Sequence, residues 1–371
     1  MRWIKPIGFW RVTGFVKSGM PYGFPSRSLS RRSAGILSWS ETGTPSMSSI
    51  LCITLNPTLD LSNDVDRVVP THKMRVRNQR QDVGGGGINV ARVIAEMGGE
   101  AEALVLSGGA SGVILEEALE QLPIAVRAFA MQGAVRIAFM VHEEATNLEY
   151  RFVPEGPVVT QAEIQPILDY LDTHRWDYMV ASGSLPRGVS SDTYAQMARH
   201  AARNGARFVL DASGEPLAAA LAEGGIFLFK PSLSELERLV GHSLTIEQAA
   251  TVCEDLVARG KATYVALTLG EEGGMLVGAA GRLLLPAIDV PVRSAVGAGD
   301  SFVGAIVWAL SQGQEIEEAF RFGLAAGAAA VMTPGTELCR RADILKLYAQ
   351  ACDMREGMEA HRPGSWVNGA S

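Results

Sequence analysis

Tyr178-Met179-Val180-Ala181-Ser182 is a short apolar run that stops at Gly183-Ser184-Leu185-Pro186-Arg187-Gly188; a helix-length segment follows at about 191–203, and then Phe208-Val209-Leu210-Asp211. Short apolar runs separated by one helix read as buried parallel strands with crossover helices. The same beat continues towards the C-terminus. A helix at 216–221, the strand Phe227-Leu228-Phe229-Lys230, helices at about 232–240 and 246–259 and the strand Tyr264 to Leu269 follow in turn. A hairpin at about 274–285 and helices at about 300–311, 315–332 and 341–352 complete that half. Towards the N-terminus stand a helix at about 161–173 and the strands Ile50 to Leu55 and Ala103 to Ser107, the latter followed by a helix at about 111–121. This alternation predicts an α/β fold whose mainly parallel sheet is covered on both faces.

Two stretches break the beat. Residues 61–83 are polar, with Val65, Val68 and Val69 alternating and Lys73, Arg75, Arg77 and Arg80 interspersed. Val135 to Val141 and Leu148 to Val153 flank a polar turn and read as a hairpin. Both are expected to lie apart from the main sheet.

The chain has 371 residues, 47% of them hydrophobic and 20% charged, enough for one large α/β domain or two modest ones. Its formal charge of -7 argues against nucleic acid as a partner. The first 46 residues hold seven basic residues and one acid, Glu41, for a net of +6, so the remainder carries -13. This Arg- and Ser-rich segment reads either as a transit peptide or as residues upstream of a true start at Met47, the second being favoured for want of an amphipathic period. Cys52, Cys253, Cys339 and Cys352 form no C-x-x-C, as expected for a reduced cytoplasm. No apolar run reaches the ~18 residues of a membrane span.

Two glycine turns open helices. Gly84-Gly85-Gly86-Gly87-Ile88-Asn89 leads into a helix with apolar positions 90, 93, 94 and 97. It is neither a Walker A loop nor a G-x-G-x-x-G, and reads as close ligand approach or as a hinge. Val296-Gly297-Ala298-Gly299-Asp300-Ser301 precedes a longer apolar run. Its free amides and helix dipole make an anion site. Asp300 beside that site reads either as an N-cap or as a general base for a hydroxyl attacking a phosphoryl group. In parallel sheets ligands bind beyond the carboxyl ends of the strands. Asp60, Ser184, Asp211, Lys230, Gly270 and Asp300 all fall there. Arg136 is either an exposed strand charge or a phosphate clamp.

Four motifs in this order and spacing resemble those of the ribokinase-like sugar kinases, the PfkB group in particular. They are Gly84 to Asn89, Gly183-Ser184-Leu185-Pro186, Thr268-Leu269-Gly270-Glu271-Glu272-Gly273 and Val296 to Ser301. Tyr150-Arg151-Phe152, Asp211-Ala212-Ser213-Gly214-Glu215 and Pro334-Gly335-Thr336-Glu337-Leu338-Cys339 extend the likeness, which covers about residues 49–350.

The resemblance implies a three-layer α/β/α domain over 47–352 with a small β-sheet lid from about 61–83 and 135–155, and a tail at 353–371. It implies a homodimer through the lid and a kinase using MgATP on a phosphorylated ketohexose, fructose 6-phosphate first. Tagatose 6-phosphate and fructose 1-phosphate are the rival substrates, and a sugar-phosphate sensor is the non-enzymatic alternative.

By the same likeness Asp300 would be the base, with Gly297, Ala298 and Gly299 as anion hole. Asp60, Gly85, Gly86, Gly87, Asn89 and Ser184 would hold the sugar, and Lys73 and Arg136 its phosphate. Lys230, Ser232, Thr268, Gly270, Gly273 and Ala328 would meet ATP, and Glu235 would act on magnesium through water. Ser294, Val296, Ala330, Thr333 and Gly335 would surround a potassium ion. Ser232 replaces the Asn of the group's Asn-x-x-Glu. Ala295 stands where a hydroxyl residue is usual, and Thr333 where an Asn is.

Overall fold

The computed structural model describes residues 48–359; residues 1–47, with the basic segment, and residues 360–371 lie outside them. The first half of the described chain runs β1 (Ile50–Thr54), β2 (Thr58–Val65), β3 (Arg77–Gly84), α1 (Gly86–Glu96), β4 (Glu102–Ser107), α2 (Gly109–Glu120), β5 (Ala125–Ala130), β6 (Arg136–Glu143) and β7 (Leu148–Phe152). The alternating half follows with α3 (Gln161–Thr173), β8 (Tyr178–Ser182), α4 (Thr193–Asn204), β9 (Arg207–Asp211), α5 (Gly214–Glu223), β10 (Ile226–Phe229), α6 (Leu233–Val240), α7 (Ile246–Ala258) and β11 (Ala262–Thr268). The hairpin β12 (Gly274–Gly278) and β13 (Gly281–Leu285) leads to α8 (Ala298–Ser311), α9 (Ile316–Val331) and α10 (Arg341–Glu359).

Nine strands form one sheet in the order β13-β12-β11-β10-β9-β8-β1-β4-β5. From β11 to β5 neighbours are parallel, while β12 pairs antiparallel with both β11 and β13. Alternate side chains explain why the strands read as unbroken apolar runs. Leu51 and Ile53 of β1 enter a core shared with α3, α4, α5 and α7. Ile50 and Cys52 enter a second core built with α1, α8, α9 and α10. Each fully buried aliphatic side chain contributes about 1.5–3 kcal/mol, so both faces must be covered. The result is the expected three-layer α/β/α fold.

β2, β3, β6 and β7 form the separate sheet, in the order β3-β2-β6-β7. β2 begins at Thr58, ahead of the polar stretch that opens at 61, because it pairs with β6 in parallel from Thr58 opposite Arg136 onwards. β5 is a strand the apolar pattern does not announce. It is an edge strand, largely exposed, and holds on through its ladder to β4. α10 runs on to Glu359, past the expected stop at 352.

Candidate active site

β1 lies between β4 and β8, so the chain leaves this point of the sheet in opposite directions. A crevice opens beyond the carboxyl ends of strands at such a switch. Thr54, Ser182 and Asp211 end the strands that border it. The N-termini of α1 and α8 both face it. They are held together where Gly304 of α8 meets α1: a Cβ there would come within 2.8 Å of Val93 Cβ.

α1 is seated on the strand ends through its glycines. Gly85 is the N-cap with φ of 130°, a conformation that requires glycine. A Cβ on Gly86 would collide with Ser182 Oγ, and one on Gly87 with the Ile53 carbonyl and Thr54. Ile88 N–H donates to Thr54 Oγ1 at 2.9 Å. The glycine run is therefore close packing of helix on sheet, and two of its members also face the cavity: Gly85 and Gly86 line it, and Gly87 is buried.

α8 starts at Gly297, φ 72°, and its first closed turn is Ser301 N–H to Gly297 O at 2.8 Å. The amides of Ala298, Gly299 and Asp300 thus have no helical acceptor. The capping residue is Gly297 and α8 has no side-chain cap, so the N-cap reading of Asp300 does not hold. Its carboxylate turns to the crevice instead. Asn89 Nδ2 donates to Oδ2 at 2.9 Å and Ser182 Oγ to Oδ1 at 3.5 Å. Burial first and the nearby Asp211 charge second push Asp300 up to about 6, against the pull of Asn89, Lys230 and Ser182. It remains ionised at neutral pH and is a far better proton acceptor than an ordinary carboxylate.

Lys230 is buried and paired with Asp211 at 3.1 Å. Burial pulls its ammonium down, but Asp211, Glu235 and Asp300 hold it above its usual range. A Cβ on Gly299 would lie 3.4 Å from its Nζ, so this cation sits beside the free amides of α8.

The cavity measures about 380 Å³, within the range of small-molecule sites. Gly85, Gly86, Asn89, Ser182, Gly297 and Asp300 form its floor. Asp60, Arg136 and Arg151 reach it from the second sheet, and Ser184, Asp211 and Glu235 border it on the other side. Arg136 is not a free strand charge. Its Nη1 donates to Pro154 O at 3.0 Å and Nη2 to Asn56 O at 2.9 Å, while its buried Nε has no partner. Burial pushes Asp60 up, opposed by its hydrogen bond with Thr58 and by the charges of Arg151 and Arg136. Ser184 Oγ accepts from Asn56 Nδ2 at 3.2 Å.

Other expected residues lie elsewhere. Lys73 is exposed in the β2–β3 connection and does not line the cavity. Ser232 and Glu235 form a reciprocal cap on α6: Ser232 N–H and Oγ donate to Glu235 Oε2 at 2.8 and 2.9 Å. Ser-x-x-Glu before an apolar run signals such a cap, a signal that motif matching hides. Thr268 bridges to Ser232, and Gly270 and Gly273 shape the turn after β11, with φ of 63° and 96°. Ala328 of α9 is next to Gly327, where a Cβ would lie 3.5 Å from Ala298 O.

Thr333 Oγ1 lies 2.7 Å from the carbonyls of Ala330 and Glu337, and Val296 N–H donates to Ser294 Oγ at 3.3 Å. Gly335 has φ of 61° and faces Arg80. Among the described residues no three His, Cys, Asp or Glu side chains gather to hold a metal ion, and no helix is long and apolar enough to cross a membrane.

Ser182, Arg151 and Thr336 also line the site. Ser182 closes an apolar strand, and Arg151 and Thr336 stand in motifs that carry the likeness but to which no role was given.

Comparison with known proteins gives the same picture. Residues 51–343 match the model of the pfkB family carbohydrate kinases. The chain is 38% identical to the ATP-dependent 6-phosphofructokinase isozyme 2 of Mycobacterium tuberculosis over 310 residues, 83% of this chain and 91% of that one. It is equally identical to the Escherichia coli protein of that name over 305 residues, 82% and 99% of the two chains. The crystal structure of Escherichia coli phosphofructokinase-2 in complex with potassium superposes with a TM-score of 0.79 at 37% identity, covering 82% of this chain and all of that one. The chain belongs to the PfkB family of carbohydrate kinases and is a phosphotransferase acting on a sugar phosphate.

Proposed function

We propose that the protein is a 6-phosphofructokinase. The observation that carries the chemistry is the Asp300 carboxylate, raised to about 6 and 2.9 Å from Asn89 where two glycine-lined helix N-termini meet. The names of the relatives supply the sugar. Asp60, Asn89, Gly85, Gly86 and Ser184 hold the hydroxyls of fructose 6-phosphate. Arg136 and Arg151, which both line the cavity, are placed on the 6-phosphate.

The C1 hydroxyl oxygen attacks the γ-phosphorus of ATP while Asp300 takes its proton. The bond from phosphorus to the bridging oxygen breaks, and ADP leaves. Charge building on the transferring group is met by the α8 amides at Gly297 to Gly299 and by Lys230. Thr268, Gly270, Gly273, Ser232 and Ala328 border the nucleotide. Glu235 Oε1, which the cap leaves free, suits a water of magnesium carried on the ATP phosphates; that ion, when bound, screens phosphate charge. Potassium is placed, by likeness to the group, among Ser294, Val296, Ala330, Thr333 and Gly335, where the Ser294 and Thr333 hydroxyls and the Ala330 carbonyl are oxygen ligands of the right kind.

The kinase unit is taken as residues 47–352, with the second sheet as its lid. Two copies pair through that lid, whose Phe139 and Phe152 face each other across β6 and β7 and are 47% and 61% exposed. The protein is assigned to the cytoplasm.

The test is turnover with MgATP on fructose 6-phosphate, tagatose 6-phosphate, fructose 1-phosphate and ribose, read as ADP release. Fructose 6-phosphate is expected to give the highest kcat/KM. A tenfold preference for another sugar would reassign the substrate, and binding without turnover would make the protein a sensor.

A further inference from the structure

Asn89 touches Asp300 through one end of its amide and an arginine through the other. Arg92 lies one turn further along α1, and its Nη1 is 3.3 Å from Asn89 Oδ1. The same Nη1 reaches the Val83 carbonyl, at the end of the lid strand β3, at 3.5 Å. A guanidinium only donates hydrogen bonds, and an ionised carboxylate only accepts them. An amide held between the two has one satisfactory orientation, with Oδ1 towards Arg92 and Nδ2 towards Asp300.

Arg92 is an unusual residue for this place. Burial draws its guanidinium down, countered by the charges of Asp82 and Asp60. No carboxylate among the described residues lies within ion-pair distance of it. A half-buried cation without such a partner is costly to keep. A role as a surface charge or as half of an ion pair therefore does not account for it. It borders a second cavity, of about 360 Å³, whose two carboxylates are already engaged. Glu96 accepts the Arg341 amide at 2.9 Å, and Glu337 pairs with Arg80 and Arg340.

We infer that Arg92 is a positioning residue for phosphoryl transfer: it fixes the Asn89 amide so that Nδ2, not Oδ1, faces the carboxylate of Asp300. Without it the amide is free to turn over. Oδ1 then repels the ionised carboxylate and accepts from the protonated one, so the proton is held more tightly. The other groups facing Asp300 are Ser182 from β8, Asp211 from β9 and Lys230 after β10. None of them touches the Asn89 amide, so they do not replace Arg92.

The inference rests on Asp300 being the base, and the experiment separates the two. Arg92→Met, Arg92→Gln, Arg92→Lys and Asp300→Asn are compared with the wild type in MgATP-dependent turnover of fructose 6-phosphate across pH 5–9. Arg92→Met is expected to lose about tenfold or more in kcat, and its acid limb to move up by about one pH unit, the worth of one hydrogen bond to a charged group. Arg92→Lys, again a pure donor, is expected to return the limb to its place. Arg92→Gln, which can also accept, is not. If Arg92→Met fails to fold, the Lys and Gln variants carry the same comparison. A Met or Gln variant with kcat within twofold of wild type, or with lower kcat and an unmoved limb, overturns the positioning role. If Asp300→Asn stays active, the base assignment itself fails, whatever the Arg92 variants do.

Discussion

Replacing Asp300 by Asn should make the protein more stable while removing its activity. The carboxylate sits at about 6 instead of an ordinary 3.8. Burial and the neighbouring Asp211 therefore oppose its charge more than Asn89, Lys230 and Ser182 support it. A tenfold change in proton affinity is worth about 1.4 kcal/mol, so the full rise from 3.8 corresponds to about 3 kcal/mol. Asp300 keeps partial solvent contact, which trims the figure to about 1–3 kcal/mol. The sign follows from proton binding. Between 3.8 and about 6 the folded protein holds a proton that the unfolded chain has released, so stability falls as pH rises through that window. The cost is complete above the folded value and absent below the unfolded one. Asn, isosteric and uncharged, avoids it. Thermal unfolding of both proteins at pH 7.5 and 4.5 should show Asp300→Asn melting roughly 2–5 °C higher at the first pH and a smaller gap at the second. A variant less stable than wild type at pH 7.5, or a gap that does not shrink with pH, would refute the electrostatic description of the site.

Arg136→Ala and Arg151→Ala should each raise KM for fructose 6-phosphate by about tenfold or more, the loss of a charge-assisted contact, with kcat affected less; steady-state kinetics with an unchanged KM would remove either residue from the phosphate. For the wild type, kcat/KM should fall on the acid side with a limb near the Asp300 value of about 6; a limb near 4 would mean that another group titrates. Phe152→Asp should convert a lid-paired dimer to monomer in light scattering, and an unchanged mass would put the interface elsewhere.

The alternating half of the chain was legible because both faces of its sheet are buried. Strands such as Tyr178–Ser182 then show as unbroken apolar runs with glycine or a charge at their ends. β5 was not legible, since its exposed edge position demands no apolar pattern, and the start of β2 was missed because Thr58 to Asp60 fall between the β1 run and the polar stretch. The site was legible where backbone geometry requires a residue type, at Gly85, Gly86 and Gly297, and where a charge stands out, at Asp300. It was not legible where a residue's meaning depends on what folds against it. Arg136 looks like any strand charge until Asn56 and Pro154 close around it. Glu235 looks like a metal residue alone until its cap with Ser232 shows one of its two oxygens engaged. Arg92 is one more helix arginine until Asn89 and Asp300 line up beyond it.

The claim on which everything else depends is that Asp300 accepts the proton of the attacking sugar hydroxyl. The direct measurement is kcat of folded Asp300→Asn with saturating fructose 6-phosphate and MgATP, beside KM for both. The account predicts a fall of about 10²–10⁴-fold with KM values near those of the wild type. Turnover above about a tenth of the wild-type rate would contradict it.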